Sequence, residues 1–392
     1  MFSKSILSTI LKALPRDQIQ KYVGQHGSDR WRKSFKTWDH LVAMLTAQFS
    51  GVTSLRELEV LFSGHASHRY HLGVKTVKRS TLSDANKGRN CAVFRDIAQI
   101  MITSTSSRKE DIKEVLTILD ASNITLTGRG SDWTQESKVR TNHGGLKLHI
   151  QMDCDTEMLE YSEITATNIN DITAALDFPL DPGRIYIFDK GYCDYNWWYE
   201  IQETGSQFVT RLKRNAAYKV TKTCEISTED EGFILRDQVI ELTNKHPRAK
   251  KSNKLAGIPL RLIQIKHPGG KSRPFLIVSN NLEASAMQIS GWYKRRWSIE
   301  LLFKWVKQNL KLKRFMGQSR NAVKIQIYVA LIAYILLKLY KKILGDRSRL
   351  RLKDIMVTLR TGIFTRPEMS KQRRKYRDNM FQKQQELWNL SQ

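Results

Sequence analysis

The sequence has few cysteines, and their positions exclude two common kinds of site. The four cysteines are Cys91, Cys154, Cys193 and Cys224, and they form neither a Cys-x-x-Cys motif nor a cluster with histidine. A structural zinc site needs closely spaced ligands, and a disulfide framework needs a denser cysteine pattern. We therefore expect reduced thiols in a cytoplasmic protein and no zinc site.

Long apolar runs are also missing. The first residues lack the continuous apolar segment of a signal peptide, so we expect no export. The longest apolar run, residues 325–337, contains Gln326 and is followed by Lys338. Because a membrane span needs roughly 20 apolar residues, this run predicts a buried core helix and no membrane partner.

Acidic residues are scarce compared with basic ones. The 392 residues include 65 Lys and Arg but only 38 Asp and Glu, which gives a formal net charge of +27. The hydrophobic content of 41% is typical of a soluble globular protein, and the length predicts two or three domains. The positive charge indicates a polyanionic partner, and nucleic acid is the commonest; a membrane surface is the alternative.

The scarcity of acid is most marked around one glutamate. Glu300 is the only acidic residue between Glu283 and Asp346, and basic residues surround it. A helix that only binds polyanions gains nothing from one carboxylate. A divalent metal held against a phosphate, however, requires oxygen ligands. The pattern therefore predicts a metal-binding role for Glu300.

The spacing around Glu300 supports this interpretation. On one continuous helix, at ~100° per residue, four polar residues share an arc of roughly 60°. These residues are Tyr293, Arg296, Glu300 and Lys307. The opposite face carries an apolar stripe suited to packing on a core, formed by Ile299, Leu302, Phe303, Val306 and Leu310.

Two aspartates end predicted strands in the preceding region. A strand-forming run at residues 115–119 ends on Asp120, and another at 184–188 ends on Asp189. Taken singly, each aspartate also fits a turn or a helix cap. Together with a glutamate, two such aspartates can hold two Mg²⁺ ions ~4 Å apart and promote an in-line displacement at phosphorus. The conjunction of the three residues predicts this chemistry.

Three motifs resemble one enzyme family. The Tyr-x2-Arg-x3-Glu-x6-Lys spacing from residue 293 to 307 resembles the Y-R-E-K signature of the DDE transposases of bacterial insertion-sequence family four, the group of the transposon five and ten enzymes. Residues 189–192, Asp-Lys-Gly-Tyr, look like the family's second motif. Residues 119–122, Leu-Asp-Ala-Ser, are similar to the first, although the residues after the aspartate depart from the usual Ser/Thr-rich pattern.

The resemblance implies a fold class and a set of site residues. The expected fold is α/β, with a ribonuclease-H-like mixed sheet, a β-rich insertion at about 213–282, a helical N-terminal domain and C-terminal helices. The implied catalytic residues, which are also the implied ligands of two Mg²⁺ ions (Mn²⁺ being an alternative), are Asp120, Asp189 and Glu300. The residues implied to bind DNA phosphates are Tyr293, Arg296, Lys307 and their neighbour Lys304.

The predicted domains are residues 1–110, 111–345 and 346–392. The first is a helical DNA-binding domain, the second the catalytic domain and the third a basic helical tail. In the first, Ser80 and Asn86 lie on a candidate recognition helix that follows a basic stretch, so they are expected to reach DNA bases. An ordinary helical domain with a solvated basic face explains the same pattern.

The leading functional prediction is a cut-and-paste DNA transposase. Its expected partners are double-stranded DNA, both the terminal inverted repeats and the target, and a second copy of the chain in a synaptic homodimer. The expected location is the bacterial cytoplasm, in association with the nucleoid. A metal-dependent nuclease or resolvase on the same fold, and a non-catalytic DNA-binding regulator derived from a transposase, are the alternatives.

Overall fold

A computed structural model describes residues 5–105, 115–126, 133, 144–228, 230–244, 252–266, 274–310, 312, 315–345 and 350–365. The chain divides into two compact units. One consists of residues 1–101 with 306–392, and the other of residues 102–305. This division differs from the predicted domains, because the segment from residue 306 to 345 groups with the N-terminal helices rather than with the catalytic domain. The predicted tail beyond residue 365 lies outside the described residues.

The first unit is helical, as predicted. Ser54 caps one helix by accepting a hydrogen bond from the Glu57 amide, as its position before a Leu-Arg-Glu sequence predicts. The helices of the N-terminal part are α1 Ile6–Leu11, α2 Arg16–Gln25, α3 Thr37–Ser50, α4 Leu55–Gly64, α5 Ala66–Leu72, α6 Arg79–Gly88 and α7 Ala92–Thr105.

A long apolar helix forms the core of this unit. Two C-terminal helices contribute to it, α12 Arg320–Leu344 and α13 Leu352–Gly362, and α12 packs on α3 and α6. By length and composition α12 could cross a membrane, but 83% of its apolar window is buried inside the protein. The prediction of a buried core helix at residues 325–337 agrees with this packing.

The second unit is built on one mixed sheet of nine strands. The strands follow the order β3-β2-β1-β4-β5-β9-β8-β7-β6. They are β1 Val115–Thr125, β2 Gly145–Asp153, β3 Leu159–Ala166, β4 Arg184–Ile187, β5 Gln207–Arg211, β6 Tyr218–Thr223, β7 Ile234–Leu242, β8 Pro259–Ile265 and β9 Phe275–Ser279. Its helices are α8 Asp171–Ala175, α9 Tyr195–Glu203, α10 Ala286–Arg295 and α11 Trp297–Asn309, which continues past residue 305.

The strand directions define the fold class. β1 is antiparallel to β2, and β2 to β3, whereas β1, β4 and β5 run parallel to one another. Three antiparallel strands followed by two parallel crossover strands form a ribonuclease-H-like sheet. The predicted fold class is therefore confirmed. The predicted insertion at 213–282 contains β6 to β9, and its last strand pairs antiparallel with β5, so it extends the same sheet.

The register of the two parallel strands places the two aspartates. Ile118 on β1 pairs with Ile187 on β4. Asp120 and Asp189 each follow their paired isoleucine by two positions, so they lie at the same level of neighbouring strands. Asp189 follows the end of β4, whereas Asp120 lies within β1, which continues to Thr125 paired with β2. The prediction that the first strand ends on Asp120 is therefore wrong. Carboxyl ends of parallel strands form the crevice in which α/β sheets bind ligands.

An aromatic cluster holds the segment that follows Asp189. The rings of Phe188 and Trp197 lie 4.9 Å apart, and those of Trp198 and Phe208 5.1 Å apart. Trp198 also donates a hydrogen bond from Nε1 to the carbonyl of Tyr192 at 3.1 Å. Each buried ring of this size stabilises the fold by about 1.5–3 kcal/mol. The backbone that carries Asp189 is therefore anchored on both sides.

Candidate active site

One arginine joins the first aspartate to the glutamate. Arg296 Nη1 donates to Asp120 Oδ2 at 3.1 Å, and its Nη2 donates to Glu300 Oε1. The glutamate follows the arginine by four residues, and Asp120 approaches from β1. The guanidinium has a planar fork of donors, so one side chain can hold two carboxylates at a fixed separation.

The first aspartate has a perturbed acidity. Asp120 Oδ1 accepts a hydrogen bond from the Ala121 amide at 2.8 Å. The net pKa of Asp120 is raised to about 6, mainly by burial, with smaller contributions from the charges of Glu300 and Asp189 and opposing ones from the Ala121 amide and Arg296. Strongly shifted carboxyls in a crevice are typical of functional sites. The three predicted carboxylates are therefore close enough to affect one another electrostatically.

The second aspartate has an unused acceptor. Asp189 Oδ1 is buried and accepts no hydrogen bond from the described part of the chain. It lies 3.9 Å from Arg211 Nη1, which is an ion-pair distance and too long for a hydrogen bond. A buried oxygen without a donor costs free energy in folding, so its presence is typical of a site reserved for another ligand.

The signature helix is broken at Arg296, which corrects the prediction of one continuous helix. α10 ends at Arg295 and α11 begins at Trp297. The Arg296 amide donates to the carbonyl of Tyr293 at 3.1 Å, which is the three-residue spacing of a turn. The apolar stripe from Ile299 to Leu310 is buried as predicted.

Tyr293 lies inside the protein rather than on an open face. Its side chain is 8% exposed, and burial raises its pKa to about 12. Arg296, Asp189 and Arg211 all lie close enough to affect this pKa. The predicted phosphate-binding tyrosine is therefore near the carboxylates, and its hydroxyl stays protonated at neutral pH.

The two predicted phosphate-binding lysines lie later on α11. Lys304 is exposed, and Lys307 is partly exposed. Their predicted contact with DNA stays a prediction.

The candidate recognition helix requires a correction. Ser80 is exposed on α6, but Asn86 is only 2% exposed. His40 Nε2 donates to Asn86 Oδ1 at 2.8 Å, and the Asn86 carbonyl accepts a hydrogen bond from Asn321 at 3.0 Å. Asn86 therefore fixes the packing of its own unit and is not available to read a base.

A basic cleft beside Asp189 contains residues that the sequence pattern did not single out. The cleft has a volume of about 700 Å³. Its other polar walls come from Lys190, Arg211, Lys213 and Arg214. The Arg-Leu-Lys-Arg run at the end of a predicted strand is the signal that could have identified them. Arg211 also stacks over the Phe275 ring at 4.2 Å, which holds its guanidinium in place.

The donor chemistry of the site fits a hard divalent cation. Asp120, Asp189 and Glu300 supply carboxylate oxygens, which Mg²⁺ and Mn²⁺ prefer. Within the described ranges, no three Asp, Glu, His or Cys side chains form a ready-made metal cage. Arg296 instead contacts Asp120 and Glu300. A cation at these oxygens would therefore compete with the guanidinium.

Comparison with known proteins identifies the class that this fold and site define. The family model for the transposase DDE domain matches residues 111–336, and the chain belongs to this family. It is therefore a DDE transposase, as the three motifs predict. A second family model, for a domain of unknown function named DUF4372, matches residues 3–75.

Individual relatives agree with this assignment. The chain is 35% identical over 263 residues to the transposase y4zB of Sinorhizobium fredii, covering 66% of this chain and 70% of that one. It is 28% identical to a transposase of the insertion sequence element IS4SA of Synechocystis, covering 69% and 74%. The solved piggyBac transposase synaptic complex with hairpin DNA is similar in fold, with a TM-score of 0.50 at 10% identity, covering 95% of this chain and 84% of that one.

Proposed function

We propose that this transposase excises an insertion sequence and joins its ends to target DNA by a metal-dependent cut-and-paste reaction. The observation that carries the proposal is the bridge from Asp120 through Arg296 to Glu300, with Asp189 at the same level of the neighbouring strand. A structural ion pair would need only one carboxylate. A third acid with an unsatisfied oxygen supports a catalytic arrangement.

The three carboxylates would hold the metal. The family is generally dependent on divalent metal ions. We infer that Asp120, Asp189 and Glu300 bind Mg²⁺ or Mn²⁺, two ions per site. When bound, the ions would supply the Lewis acidity that activates a water or a 3′-hydroxyl and stabilises the leaving oxygen. Arg296 contacts two of the proposed ligands, and the Asp120 side chain is partly buried.

Basic side chains around the carboxylates would hold the DNA strand. The cleft beside Asp189 presents four cations, and a phosphodiester strand placed there would lie against the second aspartate. Lys304 is exposed on the helix that carries Glu300, and Lys307 follows one turn later. These groups position the backbone without reading its sequence, because phosphates are the same at every step.

The helical unit would recognise the ends of the element. Its exposed basic groups, with Ser80 on α6, support binding to double-stranded DNA of the terminal inverted repeats. The target duplex is the second nucleic-acid partner. A homodimer would bring two ends together in a synaptic complex, and the bacterial nucleoid in the cytoplasm is where this substrate occurs.

A cleavage and joining assay tests the proposal. We expect the wild-type protein with Mg²⁺ to nick an end-containing duplex, and to join pre-cleaved ends to a plasmid. Asp120→Asn, Asp189→Asn and Glu300→Gln should each bind the duplex but do neither reaction. Cleavage without joining would indicate the nuclease or resolvase alternative. Binding without either reaction in the wild type would indicate a regulator.

A further inference from the structure

An exposed tryptophan projects from a basic loop in the helical unit. The loop, here called the Trp31 loop, comprises residues 29–36 between α2 and α3. Trp31 is 85% exposed. Single exposed apolar residues are common on protein surfaces. An exposed tryptophan, however, leaves a large apolar area in contact with water that burial would make favourable. An exposed ring of this size is a candidate contact surface for a partner.

The backbone at Trp31 is held in an unfavourable conformation. Its φ angle is +62°, and only Trp31 and Glu157 have a positive φ among the described residues other than glycine. A bulky side chain in the left-handed region is a rare outlier, because its Cβ crowds the neighbouring carbonyl. Strain of this kind persists where the surrounding structure enforces it, and it concentrates at functional positions.

The base of the loop is fixed by buried polar contacts. Asp29 accepts hydrogen bonds from the amide and the hydroxyl of Thr37, both at 2.7 Å. Arg89, which is almost fully buried, donates to the carbonyls of Phe35 at 2.8 Å and Lys36 at 3.0 Å. The tip is therefore presented by a rigid frame, and the strain at Trp31 is imposed by that frame.

The tip carries an excess of positive charge. Arg30, Arg32, Lys33 and Lys36 are all exposed. The acid in the loop, Asp29, is turned toward Thr37 and lies 3.8 Å from Arg89, so it does not neutralise the tip. The Arg30 guanidinium lies 5.5 Å from the centre of the Trp31 ring. An aromatic plane between cations is the combination that binds nucleic acid, since bases or sugars pack on the ring while phosphates meet the cations.

We propose that the Trp31 loop is a DNA-contacting wedge, in which Trp31 packs on bases or sugars of a duplex and Arg30, Arg32 and Lys33 contact its phosphates. This inference rests on the proposed function, in that the duplex is the transposase's DNA. It assigns the contact to a different surface from the one that the α6 pattern predicted. It also gives the strained tryptophan a role.

Binding by the full-length protein to a fluorescein-labelled duplex of mixed sequence, in EDTA to prevent cleavage, tests the wedge. We expect Trp31→Ala to weaken binding by ~5- to 150-fold, the range for losing one stacked base. Trp31→Phe should retain most of the affinity. Tyr70→Ala is the matched control, because Tyr70 is 86% exposed in the same unit. Its affinity should stay within about twofold of wild type.

The salt dependence of binding separates the charges from the ring. Replacing Arg30, Arg32 and Lys33 with alanine should reduce the log–log salt slope by up to ~2.7, whereas Trp31→Ala should leave the slope unchanged. A second triple variant, with Lys21, Arg56 and Lys342 changed to alanine, removes the same charge from exposed positions of the same unit. It should change the slope much less.

Stability measurements test whether Trp31 has a purely structural role. Trp31→Gly should bind DNA as weakly as the alanine variant but melt at or above the wild-type temperature, because glycine adopts a positive φ without strain. A lower melting temperature for Trp31→Gly would show that the ring stabilises the fold and would overturn the wedge. Equal DNA affinity of wild type and Trp31→Ala would also overturn it. The wedge would also be overturned if Trp31→Ala lost binding to anionic phospholipid vesicles but kept its binding to the DNA duplex.

Strand cleavage in Mg²⁺ reports the proposed function separately. If the wild type cleaves and Trp31→Ala binds normally, the wedge is wrong and the transposase assignment stands. If Trp31→Ala binds weakly while no protein cleaves, the wedge stands and the catalytic proposal fails.

Discussion

Arg296 Nη1 lies 3.1 Å from Asp120 Oδ2, across 176 residues of sequence. The contact links β1 with the turn that separates α10 from α11. The same guanidinium holds Glu300, so two of the three proposed metal ligands depend on one cation for their spacing. This relationship makes Arg296 the residue whose replacement is most informative.

Arg296→Lys should slow strand cleavage by about 10²-fold, although the charge is kept. Lysine has no planar fork, so it cannot hold both carboxylates at once, and a shift of about 1 Å at a catalytic group costs that much. Single-turnover nicking in Mg²⁺ measures the effect. Arg295→Lys is the control, since the adjacent arginine pairs with Asp155 instead. Equal rates for both variants would show that the bridge has no catalytic role.

Glu300→Gln should abolish cleavage while leaving binding to end DNA intact or improved. The substitution keeps the size of the side chain but removes the negative charge that a cation requires. Gel-shift and nicking assays on one preparation separate the two activities. Glu283→Gln, an exposed acid of the same unit, should cleave normally. Wild-type cleavage by the Glu300 variant in Mg²⁺ would exclude the metal role.

Lys304→Ala should reduce the salt slope of DNA binding by ~0.9, and Lys307→Ala should do the same, since each neutralised phosphate releases counterions. Arg296→Ala should reduce it less, because Asp120 and Glu300 already balance the charge of this arginine. Fluorescence anisotropy over a salt series gives the slopes. A full reduction with Arg296→Ala would mean that the guanidinium leaves its carboxylates for a phosphate when DNA binds.

Gly191→Ala should slow cleavage with little loss of stability. A Cβ at this position would lie 3.2 Å from Asp171 Oδ2, and Lys147 Nζ holds that carboxylate at 2.8 Å. The crowding would displace the turn that follows Asp189. Gly291→Ala is the control, because nothing lies within 4 Å of its Cβ and alanine favours the helix by about 0.5–1 kcal/mol.

The crowding can be relieved by a second change. Asp171→Ala removes the neighbouring carboxylate, so Gly191→Ala should cost less activity in that background than in the wild type. A double-mutant cycle on nicking rates measures the coupling. Additive losses would show that the two residues do not interact.

Acid should destabilise the helical unit through His40. Burial first, and the charge of Arg89 second, lower the pKa of His40 to about 3. Because the unfolded side chain has a pKa near 6.5, the unfolded state binds the proton first as the pH falls. Stability is therefore complete above pH 6.5 and is lost toward pH 3, by about 2 kcal/mol at pH 5.

Thermal melting between pH 7.5 and 5 checks this effect. His40→Gln should be less stable at pH 7.5 but should lose less on acidification than the wild type. His71→Gln, at a less buried position, should keep the wild-type pH dependence. A wild-type slope in His40→Gln would mean that other groups control the acid response.

Much of the catalytic fold could be predicted because its signals are local. Apolar runs that precede a carboxylate predicted the start of β1 and most of β4, and the Y-R-E-K spacing singled out Glu300. The end of β1 was predicted wrongly, because the polar residues from Asp120 to Thr125 stay in the strand through their pairing with β2. The break at Arg296 was missed, since the residues on both sides keep helical spacing and a single turn leaves the pattern unchanged. The pairing of Arg296 with Asp120 depends on tertiary contact, which spacing alone does not encode.

The missed and corrected residues depend on long-range packing. Asn86 shares a side of α6 with polar residues, but its side chain is buried and accepts a hydrogen bond from His40 on α3. The basic cleft forms only when the end of β5 meets the start of β9, the last strand of the insertion, which lies more than 60 residues further along the chain. No periodic signal in a single element predicts either result.

The pairing of β9 with β5 has a consequence for how such enzymes can diverge. Val209 on β5 pairs with Ser279 on β9, so the insertion shares one hydrogen-bonded lattice with the catalytic strands. Deleting the whole insertion would leave the backbone N–H and C=O groups along one edge of β5 unpaired beside Asp189. An exposed strand edge of this kind can pair with a strand of another chain. The sheet can gain or lose strands with less disruption at its opposite edge, which is formed by β6, because every residue of β6 is exposed. Natural length variation in this lineage should therefore accumulate around the β6–β7 hairpin, while β9 is inherited with the active site.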